Sequence, residues 1–65
     1  MEKVIIELNK TVEVSIVTSA NVYQVAVLID GAINHDEVFS NLDIKDMLEV
    51  MYMLKVKYPS NTINK

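Results

Sequence analysis

The segment 47–58 carries apolar residues on nearly every side of a predicted helix. At 100° per residue, one stripe collects the side chains of Ile44, Met47, Leu48, Met51, Leu54 and Tyr58. Such a stripe is typical of a helix that covers a hydrophobic core. The opposite side of the same helix carries Tyr52, Met53 and Val56. A helix that is apolar nearly all round is normally buried on both sides.

The chain is too short to bury such a helix by itself. A domain of 65 residues buries only about 60% of the surface that its unfolded chain exposes. Domains of this size usually need disulfides, a metal or oligomerisation to stay folded. The chain has no cysteine and one histidine, which leaves oligomerisation. We therefore expect Tyr52, Met53 and Val56 to form an oligomer interface, most simply with a second copy of the chain.

The first half of the chain predicts antiparallel strands joined by short turns. Two runs alternate inward apolar residues with outward residues, which is the pattern of a strand with one buried face. Their inward residues are Val4, Ile6 and Leu8 in the first run, and Val12, Val14 and Ile16 in the second. Asn9 and Lys10 lie between the runs and predict the turn of a hairpin.

A third strand is predicted at residues 22–29, which are rich in β-branched residues and apolar on both faces towards the end. Asp30-Gly31 follows, contains the only glycine of the chain and favours another hairpin. Residues 32–34 are then open to two interpretations, a short returning edge strand or the start of a loop. We interpret residues 34–40 as a solvated loop.

The predicted helix has clear polarity. Ser40 or Asn41 is placed to cap it, Asp43 and Asp46 fall near its start, and lysines fall near its end. Pro59 ends it.

The expected fold class is α+β. It is a small three- or four-stranded antiparallel β-meander with one C-terminal α-helix packed on one face, in the order β-β-β-(β)-α. Residues 1–58 form a single domain in this interpretation, and residues 59–65 form a flexible tail.

Charge and hydropathy argue against nucleic acid and membrane as partners. The net charge is −3, and all six basic residues are lysines, whereas phosphate and base recognition depend on basic patches and especially on arginine. The longest strictly apolar run, residues 25–29, is far short of the roughly 20 residues that span a bilayer. A cytoplasmic protein is the default expectation.

Catalytic and metal-binding patterns are weak. His35 has no second fixed ligand or nucleophile beside it in the sequence. Asp43 and Asp46 lie three residues apart, but helix electrostatics alone account for carboxylates at a helix start. No serine lies in a GxSxG context. We expect neither an enzyme, nor a bound metal, nor a cofactor.

Acidic residues are concentrated between the third strand and the helix. They are Asp30, Asp36, Glu37, Asp43 and Asp46, with Lys45 as the one lysine among them. Two interpretations stay open, a solvated rim that confers solubility and a negative patch that steers the chain towards a basic partner surface. In the second interpretation Asp36, Glu37, Asp43 and Asp46 bind the partner.

The leading hypothesis is a small, acidic, homo-oligomeric interaction module without catalytic activity. It would bind a larger protein and modulate or inhibit it sterically. The absence of arginine beside many Lys, Asn and Ile residues fits an AT-rich source, so a virus- or plasmid-encoded inhibitor of a host protein is one version of this hypothesis.

One alternative is a small-molecule-binding or sequestering oligomer with a pocket between subunits, where His35, Tyr23 or Tyr58 would supply polar contacts. Another is a structural subunit of a larger assembly.

Overall fold

Four antiparallel strands and one helix account for most of the chain. The computed structural model describes residues 1–60. Its elements are β1 (Glu2–Glu7), β2 (Val12–Ser19), β3 (Val22–Ile29), β4 (Ala32–Leu42) and α1 (Ile44–Lys57). The strands form one sheet in the order β1-β2-β3-β4, with each strand antiparallel to its neighbour. The predicted α+β meander is confirmed, and the sheet has a fourth strand.

Two of the turns have the backbone conformation that tight hairpins require. Asp30 and Gly31 adopt φ angles of 53° and 83°, and Ala20 and Asn21 adopt 52° and 66°. Two consecutive residues with positive φ match the right-handed twist of the flanking strands. The hairpin predicted at Asp30-Gly31 is confirmed, and the β2–β3 turn repeats its geometry with Ala20 in the place of Asp30 and Asn21 in the place of Gly31.

The β1–β2 turn is organised by one side chain. The Asn9 Oδ1 atom accepts hydrogen bonds from the backbone N–H groups of Thr11 and Val12, both at 2.9 Å. Its Nδ2 group donates to the carbonyl oxygen of Pro59 at 3.3 Å. The turn thus holds the chain directly after α1 against the first hairpin.

The core lies between the sheet and α1 and is centred on β2, β3 and Leu54. Its buried cluster consists of Val12, Val14, Ile16, Val25, Val27 and Leu54. The predicted inward residues of β2 are therefore confirmed.

Two of the three inward residues predicted for β1, Val4 and Ile6, are not buried. Val4 and Ile6 pair with Ile16 and Val14, on the helix side of the sheet, yet they are 52% and 37% exposed. The reason is the position of α1, whose backbone packs on β3 and β4. The helix therefore leaves the β1 side of the sheet uncovered.

The interpretation of residues 34–40 as a loop is wrong, because they belong to β4. Two register shifts interrupt the pairing of β4 with β3. The polar segment 34–37, which has low strand propensity, lies in one of these shifts, between the paired residues Ile33 and Val38.

The predicted capping residue is also wrong. Asp43, not Ser40 or Asn41, is the N-cap of α1, and its Oδ1 atom accepts the backbone N–H of Asp46 at 2.8 Å. The longer β4 delays the start of the helix by a few residues.

Helix α1 ends at Lys57, directly before Tyr58 and Pro59. Pro59 and Ser60 have no regular structure, and the rest of the predicted tail lies outside the described residues. Helix α1, the one helix within residues 1–60, does not have the length and hydropathy that a membrane-spanning helix needs.

Candidate functional site

The outer side of α1 exposes large apolar side chains. Tyr52, Met53 and Val56, the residues predicted to form an oligomer interface, are 73%, 44% and 65% exposed. Each therefore lies where another molecule can reach it.

Ile44 and Leu48 join this exposed surface, with 57% and 59% of their side chains accessible. Their predicted place in the core stripe is wrong. They lie at the edge of the stripe, and α1 packs on β3 and β4, so no strand in the described part of the chain covers that edge. Together with Tyr52 and Val56 they form an exposed row with a spacing of four residues, which we call the helix ridge. The same spacing occurs within the core stripe, at Met47 and Met51, so the sequence carries no local signal for the exposure of Ile44 and Leu48.

The face of the sheet opposite α1 is a second apolar surface, which we call the open sheet face. Strand alternation and the pairing register assign to it the apolar residues Ile5, Val17, Ala26, Leu28, Ile33 and Val38. No helix or strand within residues 1–60 covers this face. Ala26 and its cross-strand neighbour Ser15 are nevertheless buried, because larger neighbours surround these two small side chains.

A groove of about 580 Å³ runs between α1 and the β1–β2 hairpin. We call it the side groove. Its lining includes Ile6, Leu8, Ile16, Met47, Leu48 and Met51. It exists because α1 is displaced from the β1 side of the sheet. Of the three polar contacts predicted for a small-molecule pocket, Tyr58 lines the side groove, whereas Tyr23 lines smaller cavities.

Glu37 forms the main polar cluster of the fold. Its side chain is buried, with 6% of the residue exposed. The Oε2 atom accepts a hydrogen bond from Lys57 Nζ at 2.6 Å, and Oε1 accepts from the Tyr58 hydroxyl at 2.5 Å and from Asn34 Nδ2 at 2.7 Å. The cluster thereby joins β4 to the C-terminal end of α1.

These contacts change the ionisation of the cluster. Burial opposes the charge on Glu37, but hydrogen bonds from Lys57, Tyr58 and Asn34 outweigh burial and lower the pKa of its carboxyl. The hydrogen bond to Glu37 raises the pKa of Lys57 and also that of Tyr58. Lys57 Nζ also lies 5.4 Å from the centroid of the Tyr58 ring. Glu37 is therefore an internally paired carboxylate, and the prediction that it is solvated is wrong.

The four acidic residues predicted to bind a partner do not form one rim. Asp43 and Asp46 are exposed at the N-terminal end of α1. Glu37 contacts Lys57 at the other end, and 11 residues of helix at 1.5 Å each separate the two ends by roughly 16 Å. Asp36 is exposed beside Glu37 on β4. The structure brings together Asp43 and Asp46, whereas Asp36 and Glu37 are consecutive in β4, with Asp36 exposed and Glu37 turned to the end of α1.

Catalytic or metal-binding geometry is not evident in the described part of the chain. His35 is exposed on β4, and no group of three His, Asp or Glu side chains within residues 1–60 is arranged to hold a metal ion. Residues 1–60 offer apolar contact along α1 and on the open sheet face, and negative charge at the N-terminal end of α1.

Comparison of the chain with family models, curated proteins and solved structures finds no match in any of the three.

Proposed function

We propose that the chain is a non-catalytic interaction module that self-associates through the outer side of α1 and acts by binding a larger protein. The observation that carries this proposal is the helix ridge. Its four large apolar side chains, Ile44, Leu48, Tyr52 and Val56, are each more than half exposed. Contiguous exposed apolar surface of this kind is typical of interaction sites.

The spacing of the ridge favours a helix as its occupant. Rows of side chains four residues apart pack into the grooves between the same rows of a second helix, in the commonest class of helix packing. A second copy supplies an identical row, and two-fold self-association uses the same patch on both subunits. Met53 lies on the outer side beside the ridge and would add to the contact.

The partner protein is expected to present a basic surface. Asp43 and Asp46 lie together at the start of α1, and the chain carries a net charge of −3. Exposed charges of one sign steer association with a surface of the opposite sign. Asp36 remains accessible to a partner, whereas Glu37 is excluded from this role because its carboxylate binds Lys57, Tyr58 and Asn34. Inhibition or modulation would then be steric.

Self-association is tested by the double substitution Met53→Glu and Val56→Glu. Both side chains are exposed, so the fold should survive while the solution mass falls. The matched control is Gln24→Glu with Ser40→Glu, which adds the same charge at exposed strand positions and should leave the mass unchanged. An unchanged mass in the helix variant would overturn the proposed interface.

The charge of the partner site is tested by Asp43→Asn with Asp46→Asn. Asparagine caps helices as well as aspartate does, so the change removes charge and keeps the cap. Proteins retained by the immobilised chain should be lost on this variant and at high salt. If the same proteins are retained by the variant and at high salt, the partner surface is not basic.

The side groove supports a second candidate function, the binding of a small apolar molecule. Its volume of about 580 Å³ falls in the range of ligand pockets, roughly 300 to 1,000 Å³. A neutral aliphatic alcohol is a suitable probe. Binding predicts a melting temperature that rises with the concentration of the probe, and a constant melting temperature would exclude this candidate.

A further inference from the structure

We propose that β1 is a second self-association surface, at which two copies of the chain pair their β1 strands antiparallel around a two-fold axis at Ile5. The result would be a continuous eight-stranded sheet. This inference rests on the self-association in the proposed function, but it uses the sheet edge and not the helix ridge.

The first argument is that β1 is a regular edge strand without a bulge or a proline. All six residues of Glu2–Glu7 are exposed, and β1 pairs with β2 on one side only. Its register with β2 is unbroken. A regular edge presents unpaired N–H and C=O groups to another strand, and proteins blunt such edges with bulges, prolines or charged side chains. Of these devices β1 has the charges of Glu2, Lys3 and Glu7 but neither a bulge nor a proline. The other edge strand, β4, contains two register shifts in its pairing.

The second argument is charge complementarity in one register. A two-fold axis perpendicular to the sheet pairs residues that share a face. With Ile5 opposite Ile5 of the second copy, Lys3 lies opposite Glu7 of the second copy, and Glu7 lies opposite Lys3. Opposite charges placed directly across two strands stabilise the pairing. The Lys3–Glu7 pair therefore occurs twice, and Glu2 at the start of the strand lies opposite Leu8 of the second copy.

Neighbouring registers lack this match. A shift of the pairing by two residues in one direction places Lys3 opposite Ile5, and a shift in the other direction places Glu7 opposite Ile5. Either shift separates Lys3 from Glu7 of the second copy, so both opposite-charge pairs are lost. The sequence of β1 therefore selects one self-pairing register.

The third argument is an unfavourable pair within one chain. Glu7 and Glu13 are direct cross-strand partners of β1 and β2, and like charges in such positions are destabilising. Lys3 of a second copy would lie on the other side of Glu7 and offset this repulsion. On the helix side of the sheet, Val4 would face Ile6 of the second copy. This contact would extend the apolar surface of the sheet next to the side groove.

The contact is small. Six residues of strand span about 20 Å, so edge pairing alone buries less than the ~800 Å² per partner of a standard stable complex. We expect a dimer that dissociates on dilution.

Charge reversal tests the register. In a chain that already carries Met53→Glu and Val56→Glu, which removes the helix contact, Lys3→Glu and Glu7→Lys should each weaken dimerisation by about tenfold. The two reversals together should restore it. Lys10→Glu makes the same charge change as Lys3→Glu but lies outside β1, so it should have little effect.

Crosslinking gives an independent measurement in the otherwise unchanged chain, which has no cysteine. Directly opposed Cα atoms in an antiparallel pair lie about 4.5 to 5.5 Å apart, within reach of a disulfide. Ile5→Cys should form a disulfide dimer readily, whereas Val4→Cys should not, since Val4 would face Ile6.

The outcomes separate this inference from the proposed function. Equal crosslinking of the two cysteine variants, or no rescue by the double charge reversal, would overturn the β1 pairing and leave the helix interface intact. Specific crosslinking at residue 5 together with an unchanged mass in the Met53→Glu, Val56→Glu variant would support β1 pairing and overturn the helix interface.

Discussion

The carboxylate of Glu37 on β4 accepts a hydrogen bond of 2.6 Å from the ammonium group of Lys57, twenty residues further along the chain. The two residues differ in exposure, since the side chain of Glu37 is 8% exposed and that of Lys57 is 56% exposed. The pair fixes the C-terminal end of α1 against the sheet. The N-terminal end of the helix has only a local cap, in which Asp43 Oδ1 accepts the backbone N–H of Asp46.

Glu37→Ala should destabilise the fold by about 1 kcal/mol. The change removes an acceptor of three hydrogen bonds, but water can hydrate the exposed Lys57 ammonium, which limits the loss. Urea unfolding at neutral pH measures the effect. Asp36→Ala is the matched control, because Asp36 is exposed on the same strand, and its effect should be close to zero. Equal effects of the two changes would show that the Glu37 cluster contributes nothing.

The stability contributed by the Glu37 cluster should depend on pH at both extremes. The pKa of Glu37 is lowered from its usual 4.5, so the unfolded chain binds this proton at higher pH than the folded chain does. The contribution is therefore full above about pH 4.5 and is lost as the pH falls through the lower pKa of the folded state.

At high pH the sign is reversed. The pKa of Lys57 is raised above 10.5, so its contribution is full below that pH and is lost as the pH rises through the folded pKa. Unfolding of the wild type and Glu37→Gln across the pH range checks both limits. The free energies of unfolding of the two proteins should differ less in acid and in strong base than at neutral pH. A difference that does not change with pH would contradict the role given to the Glu37 carboxylate and the Lys57 ammonium.

Exchange of glycine and alanine in the two tight turns should change the stability of the fold in opposite directions. Gly31→Ala places a Cβ atom at a φ of 83° and should cost about 1 kcal/mol through backbone strain alone, since nothing lies within 4 Å of the added atom. Ala20→Gly relieves the same strain at a φ of 52° and should stabilise by roughly 0.5 to 1 kcal/mol. Thermal unfolding measures both, and shifts of the same sign would contradict the described turns.

Substitution of two leucines in α1 should distinguish a role in core packing from a role in self-association. Leu54 is fully buried, so Leu54→Ala should cost about 2 to 5 kcal/mol. Leu48 is 59% exposed, and Leu48→Ala should leave the stability of the dilute chain nearly unchanged while it lowers the solution mass. Urea unfolding and light scattering provide the two measurements. A large stability loss from Leu48→Ala in dilute solution would place Leu48 in the core instead.

Much of the fold follows from local patterns in the sequence. Alternation at Val12, Val14 and Ile16 predicted the buried face of β2, and Asp30-Gly31 predicted the β3–β4 hairpin. The length of β4 could not be predicted, because its polar segment 34–37 resembles a loop. The segment lies between Ile33 and Val38, which pair with β3, and Glu37 within it contacts Lys57 and Tyr58; both are properties of the assembled fold.

The candidate site was predictable in part. Helical spacing predicted that Tyr52, Met53 and Val56 face away from the core. The position of α1 over β3 and β4 was not predictable, and it is this position that exposes Ile44 and Leu48. The burial of Glu37 depends on Lys57 and Tyr58, and a separation of about twenty residues carries no local signal.

Self-association is the central claim, and the solution mass of the purified chain tests it most directly. Light scattering across about a hundredfold dilution should give a mass of two or more protomers at high concentration. A folded monomer at every concentration would contradict the claim, and the exposed side of α1 would then require a different protein as its partner.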